Sequence, residues 1–137
     1  MTAFENTDIA NIRKKAAMQV CGIFDEEEVG RIEPISYIEH SGLHTFITVW
    51  MFGNKKIYSA MYEGTSDGTC SPLPEGRTFF DVYRFKNISD IRLDVYGCVI
   101  SMKTGKKLEL KTNNLEGKES FMMSAHGLVS LWDEYDD

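Results

Sequence analysis

The strictest constraint in this chain is the alternation that runs from Asp90 to Thr112. Ile91, Leu93 and Val95 are apolar while Asp90, Arg92 and Asp94 are charged; Cys98, Ile100 and Met102 repeat the pattern, as do Leu108 and Leu110. A period of two means strands with one face in a core and the other in water. Register narrows this further, because a slip of one residue sets the wrong faces together. With Tyr96-Gly97 as a two-residue hairpin loop, Val95 pairs with Cys98, Leu93 with Ile100 and Ile91 with Met102. A two-residue Thr104-Gly105 turn would set Ile100 against Glu109, so the second loop reads as Lys103-Thr104-Gly105. That loop pairs Ile100 with Leu108 and Cys98 with Leu110, and leaves Gly105 at the left-handed position of a type I turn with a G1 bulge. The expectation is a three-stranded meander in which Leu93, Ile100 and Leu108 share one interior wall.

After the meander the spacing changes. Phe121, Met122, Ala125, Leu128, Val129 and Trp132 recur at intervals of three and four, the stripe of an amphipathic helix over 113–135. Asn113 with Glu116 reads as its start. At the other end of the chain, within 1–24, Thr7 or Asp8 can cap a helix carrying Ile9, Ile12, Ala16, Val20 and Ile23, with Gly22 as its end. The linker over 25–30 opens with the acidic run Asp25 to Glu28, which reads as solvated rather than metal-binding.

Between the linker and the second helix, residues 31–112 read as strands. Arg31 to Glu39 is a candidate in which Pro34 argues for an edge or a bulge. After a Ser41-Gly42 turn, His44 to Phe52 is dense in β-branched and aromatic residues. Gly53-Asn54 reads as a two-residue loop, and Lys55 to Glu63 as the returning strand. In this hairpin Phe46, Thr48, Trp50 and Phe52 share a face with Ile57 and Met61, while Ile47, Val49 and Met51 share the other with Tyr58 and Tyr62. Both faces are apolar. A half-exposed antiparallel strand should carry one polar face, so something covers the second: the N-terminal helix, a partner chain or a ligand. Gly64 to Gly76 is a long loop rich in Gly, Ser, Thr and Pro, and Thr78 to Lys86 is a further strand.

Bulk properties set outer limits. A chain of 137 residues is expected to form a single domain, 1–137, large enough for a core without staples. A net charge of -6 and a pI near 5.1 argue against nucleic acid or an anionic membrane as partner, since both need clustered cations. Cys21, Cys70 and Cys98 are odd in number and form no C-x-x-C pair, and no signal-like or membrane-length apolar run is present. Reduced thiols in a cytoplasm are the simplest account.

The element count is now an N-terminal helix, about seven antiparallel strands and a closing helix. The segment Phe85-Lys86-Asn87-Ile88-Ser89-Asp90-Ile91, the meander after it and Lys106-Lys107-Leu108-Glu109-Leu110 resemble the second half of bacterial members of the pleckstrin-homology-like superfamily. The resemblance spans roughly Arg31 to Tyr135 and rests on topology and short motifs. It implies a mainly β fold, a barrel capped by the C-terminal helix, and a scaffold that binds lipid headgroups or, more often, peptides and proteins. Lipid-binding members grip phosphates with Lys and Arg around the first hairpin loop. Here that loop is His40-Ser41-Gly42-Leu43, so a phosphoinositide is not the expected ligand.

Four groups of residues could carry function. Trp50, Tyr58, Tyr62, Ile47 and Val49 on the doubly apolar hairpin are candidates for a partner surface, aromatic side chains being frequent anchors of interfaces; burial under the N-terminal helix explains them equally simply. Lys103, Lys106, Lys107 and Lys111 form the one basic group of note, suited to an acidic peptide or a phosphate, or to guarding a sheet edge. His40 and His44 with Glu39 lack a third ligand and a helical spacing, so a metal is not expected. Cys70 has acidic neighbours, Asp67 and Glu75, which disfavour a reactive thiolate. No phosphate loop, nucleophile elbow or cofactor motif appears. The expected function is a non-catalytic interaction module without a cofactor, binding a protein or peptide and open to self-association. The alternatives are a small-ligand barrel or small enzyme with a site near His40, His44 and the 64–76 loop, and an acidic inhibitor-type protein for a basic partner.

Overall fold

The computed structural model describes residues 6–41, 44–64, 78–94, 97–111 and 118–135, with side chains for all of these except 6–10, 40–41, 44–45, 63–64, 78 and 118–120. Helix α1 (Asn6–Ile23) comes first. Strands β1 (Ile35–Ser41), β2 (His44–Phe52), β3 (Lys56–Gly64) and β4 (Thr78–Arg84) follow, then a 3-10 turn over Phe85–Asn87. Strands β5 (Ile88–Leu93), β6 (Gly97–Met102) and β7 (Lys107–Lys111) precede helix α2 (Lys118–Glu134). The four-stranded sheet has the order β1-β2-β3-β4 and the three-stranded sheet β5-β6-β7, antiparallel throughout. The mainly β class with a helix at each end matches expectation. The closed barrel does not: among the described residues no ladder joins the two sheets.

Both two-residue turns lie one position from where the sequence alone puts them. The Gly53 amide donates to the Lys56 carbonyl at 2.9 Å, so the loop is Asn54-Lys55 and Phe52 pairs with Ile57. The Asp94 amide donates to the Gly97 carbonyl at 2.8 Å, and Leu93 pairs with Cys98 rather than with Ile100. Moving a hairpin loop by one residue shifts the pairing by two, and two is the side-chain period, so every face keeps its composition. The interior row becomes Ile91, Ile100 and Leu108, with Leu93 one row along beside Cys98 and Leu110. The Lys103-Thr104-Gly105 loop stands as expected, with Gly105 at φ 95°. A bulge between Ile88 and Asp90 switches parity, which lets Ile88 join Ile91 on the inner face opposite Met102. Ser89, the extra residue, donates its hydroxyl to the Ser101 carbonyl at 3.0 Å.

Strand bounds follow from backbone chemistry. β1 begins at Ile35, directly after Pro34, and lies at a sheet edge, where a residue without an N–H is tolerated. β4 stops at Arg84 because Phe85 turns into the core, where it is fully buried. Gly22 does not end α1. The helix runs to Ile23 and closes with Asp25 in the left-handed region (φ 53°) and the Glu26 amide bonded to the Cys21 carbonyl at 3.1 Å. The expected start of α2 at Asn113 and Glu116 lies outside the described residues.

One core fills the space between the sheets. Trp50, Phe52 and Ile57 from the first sheet meet Ile100, Leu108 and Leu110 from the second, and Phe121, Ala125 and Leu128 of α2 close the layer. α1 packs on the other side of the first sheet, where Ile12, Ala16 and Val20 meet Ile47, Val49, Met51, Tyr58 and Tyr62. Ile100 is fully buried at the centre of the inter-sheet core. Ile100→Ala is therefore expected to lower unfolding free energy by about 2–5 kcal/mol with an unchanged urea m-value. A loss under about 1 kcal/mol would show that the sheets do not pack together there.

Candidate functional site

The doubly apolar hairpin is covered from within the chain. Ile47, Val49, Tyr58 and Tyr62 are fully buried beneath α1, and Trp50 is buried on the opposite face between the sheets. The five candidate residues therefore divide between two cores instead of forming one surface. The two tyrosine hydroxyls are satisfied by α1 and its C-terminal linker. Tyr62 donates its hydroxyl to Gln19 Oε1 at 2.7 Å, and Tyr58 donates to Glu26 Oε2. Arg13 donates from Nε and Nη2 to Ser36 Oγ (3.0 and 2.7 Å) and lies 3.4 Å from Glu33. The linker read as solvated is thus partly built in: Glu26 serves Tyr58, and Val29 is buried. Gly53 lets the chain pass close beneath this clasp, since a Cβ there would stand 3.0 Å from both the Glu26 carboxylate and the Tyr58 ring and push them apart.

The four lysines are all exposed but do not converge. Lys107 and Lys111 stand four residues apart on β7, roughly 13 Å along the strand. Lys111 lies 3.4 Å from Glu109 and over the Tyr37 ring at 5.9 Å, while Lys106 lies over the Tyr83 ring at 5.1 Å. Lys103 instead lines a cleft with Lys86, Asp133 and the aromatic rings of Phe85, Trp132 and Tyr135. That cleft holds about 220 Å³, below the usual range for small-molecule pockets, and its charges are mixed. His40 pairs in the ladder with Thr45 and His44 with Ser41; their side chains, Cys70 and most of the 64–76 loop lie outside the described residues. Among the described residues no three His, Cys, Asp or Glu side chains gather as a metal site. Cys21 and Cys98 are free thiols, and burial pushes Cys98 up to about 11, which keeps it protonated and unreactive.

The feature that sequence reading missed is the outer edge of β4. β4 pairs with β3 on one side and has no ladder partner on the other among the described residues. Phe79 is 47% exposed and Val82 37%, so the edge is apolar as well as open. The Phe85 amide donates back to Lys55 at 3.0 Å. Alternation along the strand then turns the amides of Thr78, Phe80, Val82 and Arg84 away from β3 and off the edge. Other edges carry the usual protection: β1 is preceded by Pro34, and β5 has a bulge flanked by Asp90 and Arg92. β4 also carries two exposed charges, Asp81 and Arg84, but has neither proline nor lysine nor bulge. The signal was present as Phe79, Phe80, Val82 and Tyr83 on both faces of one strand, but which strand ends a sheet is not written locally.

Compared with known proteins, the sequence matches no family model and no curated protein. No helix among the described residues is long and apolar enough to cross a membrane.

Burial and the Glu26 carboxylate at its hydroxyl hold the Tyr58 phenol well above its ordinary value. The folded state therefore keeps a proton that the unfolded chain releases above about pH 10, so this stabilisation is complete below that pH and fades above it. Tyr58→Phe is expected to cost about 1 kcal/mol at pH 7 and to shrink the loss of stability between about pH 9 and 11, read from urea titrations. An identical alkaline slope in both proteins would show that Tyr58 is not clasped.

Proposed function

We propose that this protein is a non-catalytic interaction module that captures an extended protein segment along the open edge of β4. The observation that carries the reading is a strand with four outward amide positions, Thr78, Phe80, Val82 and Arg84, and two exposed apolar side chains, Phe79 and Val82. An added strand gains affinity from main-chain hydrogen bonds and specificity from alternate side chains. The order of four strands, then three, then a packed helix supports kinship with pleckstrin-homology-like domains, whose sheets serve as binding scaffolds. Side chains filling the space between the sheets favour a surface site over an interior ligand site. The buried free thiol of Cys98 suits a reducing compartment such as the cytoplasm.

A random heptapeptide library selected on the wild-type protein tests this reading. Enrichment of extended, alternately apolar peptides is expected. Val82→Pro removes an amide that serves no internal bond, and it should weaken their binding at least about tenfold while the circular dichroism spectrum stays unchanged. Peptides that bind Val82→Pro as well as wild type would overturn it.

A further inference from the structure

We infer that the strand added at β4 is β4 of a second copy, joined antiparallel about a two-fold axis at Val82; this rests on the edge reading above. The hydrogen-bonding direction limits the choices. Because Phe80, Val82 and Arg84 face outward, two antiparallel copies can bond only in registers that set these alternate positions against one another. An axis at Phe80 would set the Asp81 carboxylate opposite the exposed Phe79 ring, with no donor to meet it. An axis at Asp81 would place two carboxylates directly opposite each other, a destabilising pair. An axis at Val82 sets Val82 against Val82, Phe80 against Arg84, and Asp81 against Tyr83.

The surface charges fit that register. Lys106 reaches Tyr83 from the β6–β7 turn, its Nζ donating to the Tyr83 hydroxyl at 3.4 Å and standing over the ring. The hydroxyl accepts that bond and keeps its own proton to donate. Asp81 is exposed on the same face of the strand as Tyr83. Across the axis, the Asp81 carboxylate of one copy faces the hydroxyl of Tyr83 and the ammonium of Lys106 on the other, and symmetry repeats the contact. On the opposite face the exposed Arg84 guanidinium lies against the Phe80 ring of the second copy. The exposed Val82 side chains close the centre. The two four-stranded sheets become one continuous sheet.

The test is sedimentation of the full-length chain from about 1 µM to 1 mM, a range that brackets ordinary homodimer affinities. Wild type should shift from monomer to dimer. Asp81→Lys and Lys106→Glu should each weaken the dimer about tenfold or more, and the double variant should regain most of that loss, because the swapped charges face each other again across the axis. A purely structural role for either residue would give no such rescue. Val82→Cys, in a background with Cys21 and Cys70 replaced by Ser, should form a disulfide-linked dimer under mild oxidation. The Cα separation of about 5.5 Å in a hydrogen-bonded pair lies within disulfide range. A dimer indifferent to both charge reversals overturns the proposal. So does a chain that stays monomeric at every concentration; if such a chain still selects strand-like peptides at β4, the module reading survives and only the second copy falls.

Discussion

The β2–β3 hairpin has no face that it can leave in water, and the placement of the other elements follows from hiding both. Ile47, Val49, Met51, Tyr58 and Tyr62 point one way and Trp50, Phe52 and Ile57 the other, and all are buried. At roughly 1.5–3 kcal/mol for each large apolar side chain removed from water, leaving either face in water would forfeit an amount comparable to the whole stability of an ordinary domain. α1 takes the first face. The second sheet and α2 take the other.

The two coverings are tied to each other through the short segment ahead of β1. Arg13 of α1 holds Ser36 and Glu33, while Ser124 of α2 donates to the Glu33 carbonyl at 2.8 Å. Ile32 packs against α2 at Gly127, where a Cβ would come within 3.2 Å of it. Residues that the sequence alone assigns to the first strand candidate thereby serve as a bracket between helices. Once both faces of the first sheet are occupied, its edges are what remain for a partner. Of the two, β1 follows Pro34 and β4 carries no such block, which is why the functional reading moves to β4 from the hairpin's aromatic residues.

Faces were legible in the sequence and positions were not. Parity decides a face, and parity survives a loop misplaced by one residue, so the composition of each layer follows from alternation even though Gly53-Asn54 and Tyr96-Gly97 are not the turns used. The three-residue turn was legible outright, because Gly105 meets a left-handed requirement that other residues resist. The Ile88–Asp90 bulge and the helix closure at Asp25 depend on tertiary packing and leave no period behind. Sheet edges are likewise a property of the assembled topology. Phe79 and Val82 therefore read as ordinary strand residues until β4 is seen to have one neighbour.

The central physical claim is that α1 is an integral cover of the first sheet. Native-state hydrogen exchange on the unmodified chain tests this most directly, since it reports the free energy of opening element by element. Amides in the middle of α1, around Ala16 and Val20, should exchange only in the same cooperative event that opens β2 and β3. An α1 that exchanges freely while β2 and β3 stay protected would contradict it, because the sheet would then hold its Tyr58 face without the helix.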